Sequence, residues 1–196
     1  YGRKVRRSAH PRSATAIGLA IQADAEAGYV LRDRFTRYFG VWREGDGGAT
    51  ALFDPLFPKG SLLPGAGDPP LLARRTYHPA HNLGHFRFLE CSHLAPDGRP
   101  AGDLTSWDEI RFPFVPSLAQ VTDLSAVEVV HDAEAARQHV EETCAVEAGG
   151  TVTVTLANLS AGYTRAYRLG HWGARAEPLR PARRKRSAAG TRGGEA

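Results

Sequence analysis

Thr143 to Leu169 reads TCAVEAGGTVTVTLANLSAGYTRAYRL, and this run decides the fold. From Thr151 to Leu156 the residues alternate strictly. Val152, Val154 and Leu156 share one face, and three threonines share the other. Side chains on a strand point to opposite faces with a period of two, so the pattern predicts a half-buried strand rich in β-branched residues. Thr143 to Glu147 reads as the strand before it, with Gly149-Gly150 as the hairpin turn. Asn158 to Gly162 turns the chain again, and Thr164 to Leu169 closes a three-stranded meander.

Working outward toward the N-terminus, short runs broken by Gly, Pro and Asp continue. Phe35 to Trp42 is strand-like, Gly45 to Gly48 is a turn, and Ala51 to Phe57 is the returning strand. Pro55 and Pro58 limit its hydrogen-bond ladder. Gly60 to Pro70 is loop. Arg74 to His78 is a strand, and so is His85 to Ser92, with Phe86 and Phe88 on one face and Arg87 and Leu89 on the other. Asp97-Gly98 is a turn, and Ile110 to Val115 is a short strand ended by Pro116. Asp132 to His139 is a short helix or a loop. Near the start, Ala14, Ile17 and Ile21 fall at helical spacing behind a Ser13 N-cap, with Gly28 as the stop. Short strands at this spacing predict a mainly β chain: an antiparallel sandwich preceded by a short helix.

Composition narrows the function classes. The chain has 196 residues and is 42% hydrophobic, enough for one domain with a real core. No apolar run approaches the roughly 18 residues of a membrane span. The net charge of +4 hides an asymmetry. Arg3, Lys4, Arg6, Arg7 and Arg12 crowd one end, and Arg180, Arg183, Arg184, Lys185, Arg186 and Arg192 the other, leaving an acidic middle. A nucleic-acid-binding domain would place its positive charge on a folded face, so nucleic acid is not the expected partner. Cys91 and Cys144 lack metal-type spacing and fit a reducing, cytoplasmic setting. The chain begins at Tyr1 and contains no Met, which reads as a processed protein or a piece of a longer one. No G-x-S-x-G, P-loop or Cys-x-x-Cys occurs, so no catalytic residue is expected.

In order and spacing, these segments resemble the junction and substrate-binding domain of the DnaK-type seventy-kilodalton heat-shock chaperones. Ala16-Ile17-Gly18-Leu19-Ala20-Ile21-Gln22 is similar to the run that ends the family's nucleotide-binding domain. Leu56 to Pro64 resembles its strand, charged turn and proline. His85 to Ser92 resembles the strand after its second peptide-embracing loop, and Val140 to Leu169 its closing meander. The resemblance covers roughly residues 13–169. It implies a remnant of the nucleotide-binding domain over 1–28, a linker over 29–34, a β-sandwich peptide-binding domain over 35–170 and a disordered basic tail over 171–196. It departs from the family in its charged linker, Tyr29 to Arg34, and in having 27 residues after Leu169 where the family has a helical lid.

The resemblance implies a molecular chaperone that binds unfolded or extended polypeptides, with co-chaperones as further partners and no membrane. ATP and Mg would serve the intact family protein, and no cofactor is expected in this chain. By position, the first peptide-embracing loop starts at Val41, Trp42 and Glu44. The second spans Tyr77 to Phe86 and includes Leu83 and Gly84. Val41, Phe86 and Phe88 would line the central pocket, although plain sandwich core is the simpler account of them. Gly84 falls where the family places a hydrophobe. Two rival readings remain. His78, His81 and His85, with Cys91, His93 and Glu90 nearby, suggest a metal site in a cupin-like barrel, against which Pro79 and Asn82 to Gly84 read as loop. The basic run from Arg180 to Arg186 suggests a nucleic-acid-binding tail, although such runs are usually solvated.

Overall fold

The computed structural model describes residues 9–24, 26, 28, 32–45 and 50–170. Residues 1–8, 25, 27, 29–31, 46–49 and 171–196 lie outside the described residues, and with them most of the basic ends, half of the expected linker and most of the turn expected at Gly45 to Gly48. One helix, α1 (Ala14–Ala23), precedes eight strands. These are β1 (Tyr38–Gly45), β2 (Thr50–Phe57), β3 (Leu71–Tyr77), β4 (Leu83–Leu94), β5 (Pro100–Pro113), β6 (Val140–Val146), β7 (Val152–Asn158) and β8 (Tyr163–Leu169). They form two antiparallel four-stranded sheets, in the orders β2-β1-β4-β5 and β3-β6-β7-β8. The fold is a β-sandwich. No described helix is long and apolar enough to cross a membrane.

The meander lies in the second sheet as its alternation predicts. Val152, Val154 and Leu156 are fully buried, and the threonines between them are partly exposed. Gly150 adopts φ 74°, a left-handed conformation that glycine reaches without strain, and its N–H donates to Glu147 O at 2.8 Å. Opposite, Phe39 stacks on Phe57 and Phe88 and meets the edge of Trp107 at 5.0 Å. Ring contacts of this kind fill much of the core between the sheets. Pro55 sits on β2, an edge strand, where a missing N–H costs least.

Several expectations need correction. β4 begins at Leu83, so Leu83 and Gly84 are strand and not loop. Leu89 keeps the face opposite Phe88, in register with Gly40 of β1, and is buried there too. A bulge opposite Arg87 to Leu89 adds one residue to β5 and leaves the β4 alternation intact. β5 is 14 residues long and starts far before Ile110. Its first half, Pro100 to Asp108, carries Gly, Asp and Ser without alternating, and only pairing with β4 fixes it as strand. Ser13 caps α1 without a side-chain hydrogen bond, and the helix stops at Ala23, before Gly28. Residues Asp132 to His139 fit their expectation: one turn of helix, Ala135–Arg137, set in loop. α1 buries none of its residues.

One polar bridge crosses the apolar core. Glu142 points inward from β6, only 1% exposed, where its neighbours Val140 and Cys144 are apolar. Arg43 of β1 grips it with both terminal nitrogens, at 2.8 and 3.2 Å. Arg43 Nε also donates to Asp54 of β2 at 2.7 Å, and Arg75 of β3 clamps Asp54 at 2.8 and 2.9 Å. The two arginines and two carboxylates thus join both sheets. Burial disfavours the Arg43 charge, but Glu142 and Asp54 more than offset it and its pKa rises. Removing one partner of a buried pair strands the other charge. Glu142→Ala is therefore expected to lower unfolding free energy by about 3–5 kcal/mol. Replacing Glu142 and Arg43 together by Leu and Met should cost far less, as read from urea titrations.

Candidate functional site

A cavity of about 580 Å³ opens beside this bridge. Its walls come from the end of β1, from β3 and the β3–β4 connection, and from the start of β4. Trp42, Glu44, Tyr77, Leu83, Gly84 and Phe86 all line it. Six of the residues expected to embrace a peptide are therefore brought together. Val41 and Phe88 are not: they are 0% and 2% exposed, in the central core behind the cavity wall. For these two, core packing is the role the structure gives.

Sequence reasoning missed much of the wall. Arg43, Asp54 and Arg75 make a charged floor, and Phe114 and Val129 add apolar surface. A carboxylate and two arginines on three different strands leave no local spacing to read. Phe114 follows β5 and is held from two sides. Its N–H donates to Asn82 O at 2.9 Å, and its carbonyl accepts from buried Asn158 Nδ2 at 2.8 Å. The Phe114 ring explains Gly84. A Cβ at position 84 would lie 2.5 Å from Phe114 Cζ and 2.7 Å from Phe86 Cε2. The hydrophobe expected at this position is thus supplied by Phe114, from beyond the end of β5.

The β3–β4 connection is braced from outside by a strap, residues 128–132. Asn82 N–H donates to Val130 O, and Val130 N–H donates back to Asn82 Oδ1, each at 3.0 Å. Asn82 Nδ2 reaches Glu128 O, and Asp132 N–H reaches Ala80 O, again at 3.0 Å. A single asparagine thereby satisfies strap backbone groups that a short connection leaves unpaired.

Histidines ring the opening. His81 Nδ1 lies 3.0 Å from Glu44 Oε2, and its ring lies against His131 at 4.1 Å between centroids. His78 Nδ1 bonds Gln138 O at 2.8 Å and its ring stacks on His139. His85 Nε2 pairs with Glu109 at 2.7 Å. Each histidine is engaged by a different partner, and among the described residues no group of three or more ligands converges on a metal position. The geometry thus supplies no observation in favour of the cupin-like reading.

Electrostatics on the floor are well defined. Burial alone would push the Asp54 carboxyl up, but hydrogen bonds and charge from Arg75 and Arg43 hold it below its ordinary value. Burial and the nearby Glu142 charge push the Tyr77 hydroxyl well up, so it stays neutral. Arg43 also lies over the Tyr77 ring, 5.9 Å from its centre. The arrangement offers apolar walls and a self-neutralised floor. Cys144, the nearby thiol, is buried, and burial raises its pKa further from reactivity.

Two outcomes are expected. Gly84→Ala forces the Phe114 and Phe86 rings aside and should destabilise by about 1–3 kcal/mol in denaturant titrations. Because the folded-state Asp54 pKa is depressed, its contribution is present above the ordinary carboxylate range, near pH 4, and is lost as pH falls through the folded value. Asp54→Asn should therefore be less stable than the parent at pH 7, with a shallower loss of stability below about pH 4.

A scan against protein-family models and a search of the curated proteins both return no match for this chain.

Proposed function

We propose that the protein binds extended, apolar segments of unfolded polypeptides in the cleft between its β1–β2 and β3–β4 ends, as a chaperone's substrate-binding domain does. One observation carries the reading. Residues 42–44 and 77–86, far apart in sequence, line a single cavity. Its walls set aromatic and aliphatic side chains (Trp42, Tyr77, Leu83, Phe86, Phe114, Val129) beside Glu44 and three histidines, and the charges on its floor are paired with each other and with Glu142. Such a surface suits apolar side chains spaced along a strand, with backbone groups as the polar partners.

The resemblance to the DnaK-type chaperones supports the same reading from the sequence side. It extends the proposal to an intact protein that couples binding to ATP and Mg upstream, in the cytoplasm, with co-chaperones. The cavity alone supports only the peptide-binding part.

Fluorescence anisotropy with a labelled peptide of alternating Leu and Ser tests the proposal. Saturable binding is expected, with a Ser-only peptide failing to compete. Trp42→Ala removes one aromatic wall of the cleft, where Trp42 meets the Phe53 edge at 5.9 Å. The loss of one aromatic contact should weaken binding roughly tenfold. A folded protein that binds neither peptide would refute the proposal.

A further inference from the structure

We propose that Glu44 and His81 form a proton-sensitive latch across the mouth of the cleft, tightening over a bound chain as pH falls. The proposal rests on the peptide-binding reading of that cleft. Glu44 stands at the end of β1, and His81 lies in the β3–β4 connection, on the opposite wall. Their side chains meet at 3.0 Å. This contact joins the two walls at the rim, whereas the Arg43 bridge joins the sheets at the floor. A chain entering between the walls must part it.

The two partners differ in setting. The His81 side chain is 15% exposed and Glu44 is 59% exposed. His81 is the fixed half, since Asn82 beside it is tied to the strap by three hydrogen bonds at 3.0 Å. Glu44 is the half with room to swing outward. With a neutral ring, Nδ1–H donates an ordinary hydrogen bond to the carboxylate. A second proton on Nε2 converts that bond into a charge-assisted ion pair, which holds the rim closed more strongly.

Other charges define the limits of the effect. His131 of the strap lies against His81 at 4.1 Å, so two protonated rings would repel. Asp132 follows His131 in the strap. Arg43 and Arg75 share the cavity wall but are committed to Glu142 and Asp54. His85 is engaged by Glu109, and His78 by a backbone carbonyl. Glu44 is thus the carboxylate that His81 meets.

Glu44→Gln keeps an oxygen for the His81 hydrogen bond and removes only the charge. Release of the labelled Leu-Ser peptide is followed by stopped-flow fluorescence in both proteins at pH 8 and pH 6, and the rate ratio of Glu44→Gln to parent is the readout, whatever its value at pH 8. That ratio should rise roughly threefold from pH 8 to pH 6, the scale of a partly exposed ion pair. A ratio that does not change with pH would overturn the latch while leaving peptide binding intact. Hydrogen exchange of residues 42–45 and 78–82, without peptide, tests the latch separately from the cleft. The two proteins are compared at the same pH. Greater protection in the parent at pH 6 supports the latch, and equal protection rejects it, even if no peptide binds and the cleft reading itself fails.

Discussion

The bidentate grip of Arg43 on Glu142 is the constraint around which the sandwich is arranged. A carboxylate that is 1% exposed on an otherwise apolar strand face is tolerable only with its charge answered. The answer comes from the other sheet, and it brings Asp54 and Arg75 with it. The bridge is worth little as net stability, since apolar residues of the same volume would pack as well. Its effect is on register. β1, β2, β3 and β6 can meet in one alignment only, because any slip buries an unpaired charge. That alignment is also what sets the cleft walls opposite each other.

Much of the fold was legible because strands declare themselves by alternation. The stretch from Thr143 to Leu169 needed little else: inward residues on its central strand were apolar, and glycines marked the turns. Legibility failed where tertiary pairing overrides local pattern. The first half of β5 has no alternation to read, and it becomes strand only because β4 is long enough to pair with it. Leu89 keeps its expected face, and what periodicity did not foresee is that this face is buried there as well. Leu83 and Gly84 looked like loop because glycine close to asparagine usually is.

The cleft was half legible. The positions at the ends of β1 and β3 were named only through the family resemblance, and they line one cavity. Its floor and far wall were not, since Arg43, Asp54, Arg75 and Glu142 look like ordinary surface charges when read singly. Only their convergence from separate strands makes them a unit. Val41 and Phe88 show the opposite failure. Their apolar character fits core and groove alike, and the side of the sheet they face is decided by the partner sheet. The histidines suggested a common ligand in sequence, yet each finds its own partner in space.

The exchange of volume between Gly84 and Phe114 has a consequence for how such a cleft diverges. The ring that fills the space beside Gly84 belongs to a residue well downstream, anchored through Asn82 and Asn158 and not through β4. Cleft depth is therefore set by two positions acting as one volume. A larger residue on β4 with a smaller one after β5 would preserve the packing while moving the apolar surface from one wall to the other. The shape of the cavity can drift in this way with the backbone unchanged, and neither position alone would reveal it.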